Sequence, residues 1–434
     1  MESDPSSTPP TPRRAVSMRT MLQAVGPGIL LAGAAIGASH LIQSTRAGAG
    51  FGFGMLGVLL LACVTKYPFL EFGPRYAASA HEDLIEGYRK LGTWAVWVCA
   101  IVNFGSMFII MAALTLVSAS IAQYLIGLYL PGFSALTPQT LSAIIITLCL
   151  LVLLLGKYRT LERTMKIVMT MLLLSTLAAV VIAITKSSPR TIPDDSPPWW
   201  GSANFAFLLA FMGWMPIPID SAIWNSIWVQ EHERVNNRET NLREALFDFR
   251  FGYILAGLVA TLFLALGALV MRGRVDELKD GAGFVNQLIG TYADTLGRWS
   301  IPLIAIAALT TMLSTTLVVL DAFPRAMHRL TQAIRNSDPT PGTRQHGYAL
   351  WVIAQALIAM GIILFTLKSM KTMVDLATTL SFLTAPILAL INYLVITRHA
   401  PESARPGPGM RIFSIASIVF LAAFSSAYLI WRFL

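Results

Sequence analysis

Apolar residues run along this chain in eleven blocks of about 20 residues, each long enough to cross a hydrocarbon core as an α-helix. Their approximate centres are Leu31, Leu60, Met107, Ile146, Ser175, Met215, Thr261, Leu309, Leu357, Phe382 and Val419. The polar stretches between them are short. This pattern predicts an all-α polytopic membrane protein. Two blocks are interrupted near their middle. In the sixth, Phe211-Met212-Gly213-Trp214-Met215-Pro216-Ile217-Pro218-Ile219-Asp220 contains two prolines that lack a donor N–H and clash with the preceding turn. In the first, Gly26-Pro27-Gly28 is followed by Gly33-Ala34-Ala35-Ile36-Gly37-Ala38-Ser39-His40. Such a run either weakens the helix or lets a neighbouring helix pack closely.

The two interruptions are five blocks apart, as two inverted five-helix repeats would place them. The repeats are expected at about 21–186 and 200–398, with an extra helix at about 410–432. Residues 21–434 then form a single transmembrane domain. Residues 1–20, rich in Ser, Thr and Pro, are expected to be a disordered cytoplasmic N-terminus. Carbonyls freed at a break are tolerated only against protein or a water-filled cavity, so the breaks are where a substrate site is expected. Asp220 places a carboxylate near membrane depth, which usually signals function. The alternative is that it caps the second half-helix.

Composition narrows the class. The chain is 55% hydrophobic and 13% charged, with a mean hydropathy of +0.64, which excludes an ordinary soluble domain. The net charge of +9 sits in short loops and reads as a topology signal rather than a nucleic-acid surface. Lys and Arg divide roughly two to one between the two sides, which places the N-terminus in the cytoplasm and the C-terminus outside, in the cell (inner) membrane. The first apolar block is too long and too broken for a signal peptide, so no cleavage is expected. Cys63, Cys99 and Cys149 lie inside apolar runs and read as small hydrophobes. No paired acids, activated nucleophile or phosphate loop appears, so neither an enzyme nor a cofactor is expected. A monomer is compatible with the pattern, which leaves the oligomeric state open.

Several polar positions receive structural readings. Lys66 is expected to snorkel, and Glu71 and Arg75 to pair at i, i+4. The charged stretch at 230–250 is expected to form an interfacial or protruding helical piece. Hydroxyls in the eighth block (Thr310, Thr311, Ser314, Thr315, Thr316) either line a passage or bond their own backbone. Trp214 either lines a pocket or packs against lipid.

With these residues placed, the chain from about 20 to 430 resembles the Nramp family of divalent-metal transporters, which have a LeuT-like fold. The resemblance is carried by Gly26-Pro27-Gly28, Arg46-Ala47-Gly48-Ala49, Met215-Pro216, Arg243-Glu244-Ala245-Leu246 and Leu313-Ser314-Thr315-Thr316. It implies a secondary transporter working by alternating access, with a substrate site at broken helices 1 and 6. The family's first-helix Asp-Pro-Gly-Asn corresponds here to Gly37, Ala38, Ser39 and His40, so the acid is absent. In helix six, Met212 and Met215 stand at the family's Ala and Met, and Ile217 stands at its His. Thr378 replaces a glutamine of helix ten, and the third-helix acid of the proton route has no counterpart.

Two readings follow. In one, a divalent cation is the substrate, and Asp220, Met215 and His40 hold it with Ser39 and carbonyls near Gly37 and Gly213. The weakness is spacing, because Asp220 lies five residues after Met215, about 7.5 Å along a regular helix. In the other, the solute is a small organic amine or amino acid. Half-helix N–H groups near Gly37, Ala38 and Ser39 would then bind a carboxylate, and Asp220 an amine. Across both readings the candidate substrate-binding residues are Gly37, Ser39, His40, Met212, Met215, Asp220 and Thr378. His40 is either a proton-accepting group or a hydrogen-bonded packing residue.

Overall fold

The computed structural model describes residues 25–133, 135–155, 158–186, 202–273, 281–336, 341–365 and 370–433, and these are helical almost throughout. The N-terminal segment expected to be disordered, residues 1–20, lies outside the described residues. Helix α1 (Pro27–Ala35) has proline at its first position, where a missing N–H costs nothing. After the break at Ile36 to Ala38, a π-helical turn (Ser39–Ser44) leads into α2 (Thr45–Phe51). Then come α3 (Leu56–Ala80), α4 (Leu84–Leu91), α5 (Thr93–Tyr129), α6 (Pro138–Leu155) and α7 (Tyr158–Lys186). The second half begins with α8 (Ser202–Trp214), which stops at the proline break before α9 (Ser221–Asn236). It continues through α10 (Leu242–Leu266), α11 (Gly281–Leu296), α12 (Ser300–Ile334), α13 (Pro341–Phe365) and α14 (Met370–Arg398), and α15 (Pro408–Phe433) closes the chain.

Among the described residues, nine helical stretches are long and apolar enough to cross a membrane. The pieces of the first and sixth blocks account for the difference from eleven. Residues 39–51 run on into α3 as one long stretch, Ser39–Ala80, while α1 and α8 are short because the breaks cut them.

Packing repeats across the two halves. Helix α1, the first half of one broken helix, lies on α10, and α9, the second half of the other, lies on α3. Helix α5 packs on α14, as its counterpart α12 packs on α7, and α5 and α12 pack on each other. The broken helices are therefore held at the centre by partners related through the repeat. Peripheral helices turn large apolar side chains outward, among them Leu148 and Leu155 on α6, Ile184 on α7 and Ile412 and Val419 on α15. That is the surface a lipid bilayer covers.

The charged stretch at 230–250 is helical for most of its length, as expected. It comprises the last turns of α9, a turn at Asn237 in the left-handed region (φ 48°), and the first turns of α10. Asn237 ends α9, and Asn241 caps the start of α10 by accepting the Glu244 N–H at 2.9 Å.

Candidate functional site

At the first break the chain leaves helical geometry at Ile36 (φ −83°, ψ 81°), which frees carbonyls inside the protein. The Thr315 hydroxyl on α12 lies 2.9 Å from both the Gly33 and the Ile36 oxygen and donates its proton to this pair. Gly37 makes the approach possible, since a Cβ there would lie 2.4 Å from Thr315 Oγ1. Of the hydroxyl run in α12, Thr315 is the one that spans to the break. Thr311 and Ser314 bond backbone within their own helix.

At the sixth break α8 ends at Trp214, the Met215–Pro216 peptide is cis, and α9 starts after Asp220. The carbonyls released there are met by Lys66. Its side chain does not snorkel. It is wholly buried and reaches from α3 into the break, where Nζ donates to Met212 O (2.6 Å), Gly213 O (2.7 Å) and Ile217 O (3.4 Å). A buried ammonium is costly without partners, and here three donors find three acceptors. Asp220 makes no side-chain capping bond to α9, and its buried Oδ1 has no hydrogen-bond partner. Glu71 and Arg75 pair as expected, at 2.5 Å.

The two breaks face a cavity of about 30 Å³, room for one or two waters. Its walls come from α1 and the first break, α5, the sixth break, α9 and α12, and include Ala35, Ser39, Ile110, Trp214, Trp224 and Thr315. Trp214 is buried and donates to Ser381 Oγ at 3.1 Å. Trp224 is 3% exposed, and its indole N–H has no partner.

The residues singled out from sequence fall into separate places. Gly37 and Ser39 lie at the first break, and Ser39 lines the cavity. His40 is fully buried and turned to α10, where Nε2 donates to Ala256 O at 2.9 Å. Its Nδ1 lies 2.7 Å from Ser39 Oγ, which is also 2.5 Å from Ala35 O. Met215 is buried, and its sulfur accepts from the Ser44 hydroxyl at 3.4 Å. Met212 contributes its carbonyl to Lys66. The Thr378 hydroxyl bonds Val374 O and Asp375 O of its own helix, while its carbonyl is where Gly213 packs closely. His40 is thus hydrogen-bonded to α10 and to Ser39 rather than to Met215 or Asp220. No group of three or more His, Cys, Asp or Glu residues suited to a metal occurs among the described residues.

Lys66, Thr315 and Trp224 are the site residues that sequence reasoning did not assign there. For Lys66 the signal was present, because an ionisable residue inside a span marks a candidate site. For Trp224 there was none.

Two broken helices crossed by intact ones, with a cavity between the breaks, define a membrane transporter of the LeuT-like class, built from two inverted five-helix repeats plus an eleventh helix. Residues 28–432 match the family model for natural resistance-associated macrophage protein-like (Nramp) proteins, and the chain belongs to that family. It is 34% identical over 381 residues to an uncharacterized protein of Pasteurella multocida (strain Pm70), covering 86% of this chain and 85% of that one. Among solved structures it is similar to the Eremococcus coleocola manganese transporter, with a TM-score of 0.70, 15% identity, and coverage of 96% of this chain and 88% of that one. MhsT in complex with L-phenylalanine is similar too, with a TM-score of 0.62, 15% identity, and coverage of 94% and 98%.

Proposed function

We propose that this chain is a secondary transporter working by alternating access around its two helix breaks, and that its substrate is a small organic solute. One observation carries the choice of substrate. The cavity between the breaks is walled by alanine, aliphatic, tryptophan, proline and hydroxyl side chains, with no carboxylate, imidazole or thioether among them. A divalent ion needs a set of oxygen, nitrogen or sulfur ligands. An apolar wall with a few polar groups suits an organic frame. The unpartnered Trp224 indole N–H fits a carboxylate or carbonyl group on that frame, while the Ser39 and Thr315 oxygens, whose protons go to backbone carbonyls, accept from an N–H or O–H on it. The N-terminal end of residues 39–51 adds a favourable field for an anion.

A divalent cation is the second reading. It is favoured by the family, by the manganese transporter named among the structural relatives, and by the unpartnered Asp220 oxygen at the same break as Met215. We further infer that the chain lies in the cell's inner membrane, with the N-terminus cytoplasmic and the C-terminus outside. On that reading the transmembrane domain is 21–434, with repeats near 21–186 and 200–398.

The test is a thermal-shift screen of the purified full chain with amino acids, carboxylic acids, amides and amines, because a ligand of the native state raises its stability. Loss of the indole N–H in Trp224→Phe is expected to weaken the responding ligand about 3- to 10-fold, the value of one hydrogen bond. A responding ligand bound equally well by Trp224→Phe would contradict the assigned contact.

A further inference from the structure

A second polar feature lies beside the cavity and shares only Ile217 with its wall. The sixth break exposes the Met212, Gly213 and Ile217 oxygens in one place, all within 3.4 Å of a single nitrogen. Converging carbonyls at a half-helix end are how discontinuous membrane helices hold a small cation. Asp220 lies at the same break, just before α9. Its Oδ1 makes no hydrogen bond, and no ion pair joins it to Lys66.

The occupant is already part of the chain. Lys66 is completely buried, its four-carbon stem crosses from α3, and its ammonium spends all three N–H donors on these oxygens. Desolvating a lysine this fully requires a seat built for a cation. We propose that the sixth break is a cation seat filled permanently by the Lys66 ammonium, a tethered ion in place of a free one, so that the transporter folds and binds without an alkali-metal or divalent ion there. The proposal concerns the break itself and stands whichever solute enters the cavity.

It follows that removing the tether creates a vacant cation site. Lys66→Ala leaves the three oxygens around a void the size of an alkylammonium. Lys66→Met fills the void without charge. Thermal unfolding of the purified full-length variants is followed in choline chloride and after addition of ethylammonium, sodium, potassium or Mn²⁺. Lys66→Ala is expected to unfold several degrees below the parent and to recover, saturably, with ethylammonium or one of the metal ions. Lys66→Met and the parent are expected not to respond. A Lys66→Ala protein that responds to no cation, or responds no more than Lys66→Met does, would overturn the proposal.

Should Lys66→Ala fail to fold, the parent and two other variants decide. Saturable stabilisation of the parent by sodium, potassium or Mn²⁺ that disappears in Asp220→Asn would mean a free ion occupies the seat, which contradicts the proposal. Indifference of the parent to all of them, with Lys66→Arg folded and equally indifferent, supports it. The ions separate the two readings: sodium or potassium binding overturns this proposal alone, whereas Mn²⁺ binding lost in the Asp220 variant overturns the solute reading as well.

Discussion

Thr315 illustrates what single residues contribute at the first break. Freed carbonyls inside a membrane protein are costly unless something donates to them. One hydroxyl from α12 serves both Gly33 and Ile36, and Gly37 keeps the space open for it. Thr315→Val removes the hydroxyl at nearly constant shape. The variant is expected to be less stable by about 1–3 kcal/mol, the cost of leaving a buried acceptor without a donor. Thermal or denaturant unfolding in detergent measures this, and parent-like stability would show that another group caps the break. Lys66 performs the same task at the sixth break with a full charge. The two breaks are thus stabilised from different sides, by α12 at one and α3 at the other.

These residue roles were legible to different degrees. Gly37 and the prolines at 216 and 218 announce a broken helix from backbone chemistry alone. Thr315 sits in a hydroxyl-rich run whose members could equally bond their own helix, and Thr311 and Ser314 do so. Lys66 was read as snorkelling because a lysine near a helix end commonly reaches for the interface. Where a four-carbon stem points depends on the neighbouring helix, and that is tertiary information. His40 had two readings in the sequence. Its bonds to Ala256 and Ser39 favour the packing one.

At the scale of elements, α1 is a short helix held at both ends by other helices. Thr315 binds its last turn, and Asp248 of α10 binds its first. The Gly26 N–H donates to Asp248 Oδ1 at 3.0 Å and the Gly28 N–H to Oδ2 at 2.6 Å. Both N–H groups belong to the helix start, where no intrahelical acceptor exists and negative charge is favoured. Gly28 and Gly252 have to be glycine for α1 and α10 to meet, since a Cβ on either would lie within 2.1 Å of the other helix's backbone oxygen. Asp248→Ala removes two charge-assisted bonds and is expected to loosen α1 from α10. A cysteine introduced at Val25, in a background with Cys63, Cys99 and Cys149 replaced, should then be labelled roughly tenfold faster or more, on the scale of one such bond. An unchanged labelling rate would mean that the glycine packing alone holds α1.

For the whole molecule, the long apolar blocks were the most legible feature, because about 20 coiled residues are what a bilayer demands. The spacing of the two breaks carried the repeat architecture as well. Ion pairs between distant elements were not legible. At one end, Asp83 meets Arg329 of α12 at 2.6 Å and Glu71 of α3 meets Arg250 of α10 at 3.3 Å, and a hydrogen bond of 3.3 Å joins Glu162 of α7 to His232 of α9. These pairs join both halves at one end of the molecule. At the other end Arg46 of α2 pairs with Asp375 of α14 at 2.9 Å. Contacts that bind the two halves at both faces agree with the small volume of the cavity between them. Under the proposed alternating access, the pairs that cross between the moving bundles are expected to open.

The central claim is that the site between the breaks serves an organic solute and not a bare metal ion. Isothermal titration of the purified full chain with Mn²⁺, Mg²⁺ and Zn²⁺, beside Asp220→Ala, tests it most directly. The account predicts no saturable heat from any of the three ions in either protein. Saturable binding to the parent that is lost in Asp220→Ala would contradict it and return the site to the metal ions carried by the family.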